Sequence, residues 1–191
     1  MLTTLVAWAL LAGFLVLQRV LRRGEEARSL QASAADRGST KLLGAAFLLG
    51  ALALVAAPVL NAQGIAEASH GLAIGWIGVA VMFGGLALRL WSQAVLGRYY
   101  TTTLRHGEDQ PILASGPYRL LRHPGYAGLL LAWVGAGLAT ANWAVASAVT
   151  LLMVVAYSYR IAAEEAMLVS AFGGRYEEYM ARTWRLIPYV Y

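Results

Sequence analysis

In the stretch YRIAAEE, Arg160 and Glu164 stand four residues apart, and the stretch YRLLRHPGY, Tyr118 to Tyr126, gathers two arginines, a histidine and two tyrosines. On a helix Arg160 and Glu164 share one face. Such a pair is either an ordinary surface salt bridge, worth well under about 1 kcal/mol when exposed, or two opposite charges each held ready for a ligand of the other sign. YRLLRHPGY is open to two readings as well. Arginine and tyrosine are common headgroup anchors at span ends. Yet Pro117 and Pro124 break helix on either side of a short amphipathic segment, which bends the chain and gathers Tyr118, Arg122, His123 and Tyr126. A third cluster, FGGRYEEYMARTWRLIPYVY, is an amphipathic, aromatic tail able to lie on a membrane and close over a site.

The elements that must position these groups are set by composition. The chain has 191 residues, 59% hydrophobic and 13% charged, which is the balance of a lipid-embedded protein rather than a soluble one. Five apolar runs read as transmembrane helices: Leu2 to Gln18, Leu42 to Leu60, Leu72 to Leu96, Pro124 to Thr140 and Trp143 to Tyr159. The first is followed, not preceded, by arginines, and so reads as a retained span rather than a cleaved signal. The arginine-rich stretch after it is long enough for a short surface helix. The fourth and fifth form a helical hairpin turning near Ala141 and Asn142, and the tail after it is helix-prone until Pro188.

Every Lys and Arg except Arg89 falls on the side shared by the first loop, the third loop and the C-terminus. The positive-inside rule then predicts N-terminus out and C-terminus in. The same rule accounts for the formal charge of +5, so no nucleic-acid partner is expected. With no cysteine and three scattered histidines, disulfides, thiolate chemistry and a metal site are not expected either. Gly71 and Gly75 are spaced for close helix approach. Gly135 and Gly137 form a G-x-G pair inside an apolar run with no strand before it, which reads as packing rather than a dinucleotide loop.

Together these residues resemble the isoprenylcysteine carboxyl methyltransferase family and, more distantly, membrane phospholipid N-methyltransferases. The matching elements are GPYRLLRHPGYAG at Gly116 to Gly128, RIAAEE at Arg160 to Glu165 and FGGRYEEY at Phe172 to Tyr179 followed by the terminal IP. The resemblance implies an all-α, polytopic S-adenosylmethionine-dependent methyltransferase. Its cytosolic cofactor pocket is formed by the loop before the fourth span and the C-terminal helix, and a lipophilic or prenylated substrate enters from the bilayer. It divides the chain into N-terminal helices, residues 1–95, and a catalytic half, residues 96–191. Carried over by position, cofactor contacts fall on Gln110, Pro111, Ile112, Leu113, Tyr118, His123, Pro124, Gly125, Tyr126 and Glu164. A looser match adds Thr103, and the catalytic, substrate-facing cation is Arg160.

Chemistry runs the same way. In-line methyl transfer depends on alignment more than on acid-base help. A carboxylate acceptor is ionised at neutral pH and needs a cation to hold it, which Arg160 offers. The cofactor's ammonium needs an anion such as Glu164; its carboxylate needs donors, from His123, backbone amides near Pro124, or Tyr118. The most direct reading is carboxyl O-methylation of an isoprenylcysteine-type acceptor. Fourteen arginines to a single lysine suggest a G+C-rich bacterial genome and an inner-membrane location, which keeps other amphiphiles in view. Methylation of an amine or thiol on a lipid is the alternative, and an amine would call on Glu165 or His123 as base. A non-catalytic scaffold or transporter is the alternative of another class. It fits poorly, because mid-span polar residues are confined to Arg89, Ser92 and Gln93.

Overall fold

In an apolar medium each backbone N–H and C=O must be satisfied within its own segment, so long apolar runs become helices. The computed structural model describes residues 1–21, 36–97 and 112–191. It contains α1 (Leu2–Leu21), α2 (Ser39–Ala62), α3 (Gly71–Leu96), α4 (Pro124–Ala139), α5 (Trp143–Phe172) and α6 (Gly174–Arg182), with a 3-10 turn at Gly116–Arg119 before α4. Among the described residues there is no strand, only two isolated bridges. The expected surface helix after α1 and most of the loop before α4 lie outside the described residues.

By length and composition α1, α2, α3 and α5 are each able to cross a membrane, and the protein is a multi-pass membrane protein. The expected fourth span is shorter. With 16 residues, α4 is about 24 Å long at 1.5 Å per residue, against a hydrocarbon core of about 30 Å. Ten of its residues are buried, so it is covered largely by its neighbours.

The closest approach in the bundle is between α3 and α4, and glycine makes it possible. A Cβ on Gly135 would strike the Met82 backbone and lie 2.5 Å from the Gly78 carbonyl oxygen; a Cβ on Gly85 would lie 2.5 Å from the Gly128 carbonyl oxygen. The seam is therefore Gly78 and Gly85 against Gly128 and Gly135. Of the pair first singled out, Gly75 instead accommodates Thr3 of α1, and Gly71 faces Ala141. The G-x-G pair is packing, as expected: Gly137 lies against Ala146 of α5. Around this seam the core is filled by Leu54, Met82, Trp133, Val149, Met153 and Tyr157.

One end of the bundle is closed by a polar clasp. Asn142 caps α5 by accepting from Val145 N (3.0 Å) and donates to Asn61 Oδ1 (2.7 Å) and the Ile65 carbonyl (2.8 Å). Asn61 donates to the Thr140 carbonyl (2.8 Å), and Thr3 of α1 donates to that of Ala139 (2.7 Å). The hairpin turn falls at Ala141 and Asn142 as expected, with Ala141 at φ 53°. The start of α2, the run before α4 and the C-terminal segment gather at the opposite end.

The C-terminal segment departs from expectation. Helix α5 continues past Tyr159 to Phe172, because IAAEEAMLVSAF is made largely of good helix formers. After it, α6 ends at Arg182, well before Pro188. Thr183 turns extended, and the backbone that follows is used by the loop before α4: Trp184 N donates to the Leu120 carbonyl (2.9 Å) and Arg122 N to that of Trp184 (2.7 Å).

Gly135→Ala should force α3 and α4 apart and lower stability in detergent by about 1–3 kcal/mol. Gly84→Ala, where nothing lies within 4 Å of the new methyl, should be neutral or slightly stabilising. Equal thermal unfolding of the two variants would contradict the seam.

Candidate functional site

Arg160 lies 17 residues into α5, about 26 Å from the helix start, near the edge of a hydrocarbon core. Its side chain is only 3% exposed. A charge so buried requires a counter-charge and filled hydrogen bonds. Nη1 donates to Asp36 Oδ1 at 2.7 Å, with Ser39 Oγ at 3.0 Å and Thr40 Oγ1 at 2.7 Å from the same nitrogen. Both hydroxyls donate in turn to Asp36 Oδ1, and Thr40 N donates to Oδ2. Nε donates to the Tyr126 hydroxyl (3.2 Å), which donates to Glu164 Oε2 (2.5 Å). The result is a continuous chain, Asp36 to Arg160 to Tyr126 to Glu164, drawn from the start of α2, from α4 and from α5.

Among the described residues, this chain sets two carboxylates against one guanidinium. The half-buried Glu164 makes no ion pair among the described residues, although Arg160 shares its helix face. Of the two readings of that i,i+4 pair, the plain surface salt bridge is not formed: the guanidinium is turned to Asp36. Burial alone would raise the Asp36 carboxyl. Hydrogen bonds from Thr40 and Ser39, with the charge of Arg160, outweigh burial and hold it below the ordinary aspartate value.

The second carboxylate of the motif has a different task. Glu165 is 4% exposed and sits among two arginines and a histidine: Arg122 Nε at 3.0 Å, His123 Nε2 at 3.3 Å and Arg185 Nη2 at 2.8 Å. Arg122 also donates to the carbonyls of Met180 (2.9 Å) and Thr183. The Tyr179 hydroxyl, pushed up to about 12 by burial, donates to the Tyr118 carbonyl (2.8 Å). These contacts fasten α6 and the terminal segment onto the loop before α4, so Glu165 is a clamp, with its oxygens committed to donors.

Of the expected site residues, Tyr126, Glu164 and Arg160 are brought into direct contact. The His123 ring stacks on Tyr126 at a 5.6 Å centroid distance, and Pro124 and Gly125 form the buried first turn of α4. Tyr118 is buried in the 3-10 turn beside them, joined to α6 rather than to Glu164. Ile112 and Leu113 are half-buried coil leading into that turn; Gln110, Pro111 and Thr103 lie outside the described residues. The residue that sequence reasoning missed is Asp36. Its only local signal is an acidic residue just ahead of an apolar run in DRGSTK.

The model of the isoprenylcysteine carboxyl methyltransferase family matches residues 76–170, about half of the chain, and that match contains Tyr118 to Tyr126 and Arg160 to Glu165. The chain belongs to this family. A probable protein-S-isoprenylcysteine O-methyltransferase of Oryza sativa subsp. indica is 34% identical over 119 residues, 61% of this chain and 62% of the relative. Protein-S-isoprenylcysteine O-methyltransferase B of Arabidopsis thaliana is 31% identical over 120 residues, 60% of this chain and 61% of the relative. A solved structure of the eukaryotic intramembrane Ras methyltransferase ICMT has a TM-score of 0.63 at 23% identity, covering 78% of this chain and 52% of that one, a likeness of fold. The alignments thus span about three fifths of these relatives and about half of the solved chain. Asp36, in α2's lead-in, lies outside the family match.

A carboxyl whose folded pKa is depressed contributes stability that is present above its unfolded value and lost as pH falls through the folded one. The stability advantage of the wild type over Asp36→Asn should therefore be constant above about pH 5 and shrink as pH falls through and below about 3.9, the ordinary aspartate value. An advantage that grew on acidification in chemical unfolding would contradict the ion pair.

Proposed function

We propose that this protein transfers a methyl group from S-adenosylmethionine to the carboxylate of a lipophilic, isoprenylcysteine-type acceptor. The observation that carries the reading is the presentation of Arg160 and Glu164 from one face of α5, with the Tyr126 hydroxyl between them. The donor set fits the cofactor: Glu164 carries a carboxylate with no cationic partner among the described residues, suited to an ammonium. Beside it, the first turn of α4 at Pro124 to Tyr126 and the ring of His123 can take the carboxylate and the flat adenosine surface. When bound, the cofactor supplies an electrophilic methyl on a sulfonium. Arg160 supplies a fixed cation that holds the acceptor carboxylate for in-line approach, and burial at the bundle end excludes water.

A carboxylate acceptor arrives ionised and needs no base. The commitment of Glu165 to Arg122, His123 and Arg185 favours that acceptor over an amine, which would need one. We place the chemistry in residues 96–191, with Asp36 contributed from residues 1–95. We assign the arginine-rich end, which carries the site, to the cytosolic face of a bacterial inner membrane.

Arg160→Ala should lower kcat by at least about 100-fold while S-adenosylmethionine binding stays measurable by calorimetry. Glu164→Ala should weaken that binding directly, by about tenfold or more. Unchanged turnover in both variants would sink the assignment.

A further inference from the structure

Arg160 and Glu164 lie one turn apart on α5, the spacing at which such residues pair with each other by default. They do not do so here. The guanidinium is drawn instead to Asp36, a residue 124 positions away in sequence, and among the described residues the Glu164 side chain accepts from the hydroxyl of Tyr126. Asp36 is itself built for this role. It is 2% exposed, its Oδ1 accepts from Ser39 and Thr40, and its Oδ2 accepts from Thr40 N. The turn that carries it is tied to α5 a second time, by the Tyr159 hydroxyl donating to the Arg37 carbonyl (2.8 Å).

We propose that Asp36 is a positioning residue that separates the two charges of the site. By holding Nη1 of Arg160, it keeps the guanidinium from closing a direct ion pair with Glu164 and so leaves Glu164, which has no ion pair among the described residues, to receive a cationic cofactor. This rests on the proposed function and adds to it a residue outside the family match, just ahead of a helix whose sequence carries no motif of its own. Without the Asp36 charge, the carboxylate among the described residues that acts on the buried Arg160 is Glu164. The arginine then competes with the cofactor's ammonium for one carboxylate, and the cost falls on cofactor binding before it falls on chemistry.

The test is a double-mutant cycle on the full chain in detergent, reading the Kd of S-adenosylmethionine by calorimetry for the wild type, Asp36→Asn, Arg160→Gln and the double variant. Asp36→Asn should weaken binding about tenfold, and the same change in the Arg160→Gln background should weaken it less than about twofold. Ser39→Ala with Thr40→Val keeps the Asp36 charge while loosening its hold. It should move Kd in the same direction by a smaller factor, so the claim stays testable if Asp36→Asn does not fold. An unchanged Kd in the Asp36 and hydroxyl variants overturns the proposal. So does an equal loss in both backgrounds, which is what a merely structural aspartate produces. A wild-type chain that binds no S-adenosylmethionine overturns the proposed function itself, a failure seen before any variant is compared.

Discussion

A guanidinium 3% exposed at the end of a bundle of apolar helices is the constraint that organises this protein. An isolated charge in such a place is prohibitively costly, and removing one member of a buried pair costs about 3–5 kcal/mol. The start of α2 must therefore lie against α5, so that Asp36 meets Arg160, and α4 must bring Tyr126 to the other edge of the same guanidinium. The rest of the site follows from those two requirements. Tyr126 can reach across only if α4 begins where it does, and its hydroxyl is then placed to bridge Arg160 and Glu164.

The glycine seam and the polar clasp make that placement possible. Helix α4 is too short and too buried to be fixed by the bilayer; its position is set by backbone contact with α3 at Gly78, Gly85, Gly128 and Gly135. The clasp of Asn61, Thr140 and Asn142 fixes the far end of the hairpin. The near end is free to carry polar side chains. There Glu165, adjacent to Glu164 in sequence, does the opposite work: Arg122, His123 and Arg185 fill its acceptors and fasten the C-terminal segment to the loop before α4. Among the described residues, the two neighbouring carboxylates differ in role because one is held by two arginines and a histidine and the other by a phenol.

Much of this was legible in the sequence, because spans are local. Four apolar runs appear as helices close to their expected bounds, and the hairpin turn falls at Ala141 and Asn142, where Asn142 is an N-cap with the right chemistry. Helix spacing put Arg160 and Glu164 on one face, and the family resemblance implied that Tyr126 joins them, as it does. What was not legible is long-range. The Asp36 to Arg160 contact spans 124 residues, and DRGSTK has no pattern that announces it. The end of α6 at Arg182 carries no glycine or proline cue, since it is set by hydrogen bonds to Leu120 and Arg122 rather than by local propensity. Helix beyond Tyr159 was legible as a helix-prone tail, but its continuity with the fifth span was not, because composition turns polar there while helix propensity does not fall.

If the acceptor held by Arg160 is a carboxylate, as proposed, the bond formed distinguishes it from every other methyl acceptor. The most direct measurement is to incubate the protein in lipid vesicles with S-adenosylmethionine labelled in its methyl group and a farnesylated cysteine, then to treat the product with base. A methyl ester hydrolyses and releases labelled methanol, and that release is the predicted result. Label that stays on the product through base treatment, as it does in an N-methyl or S-methyl group, would contradict the account.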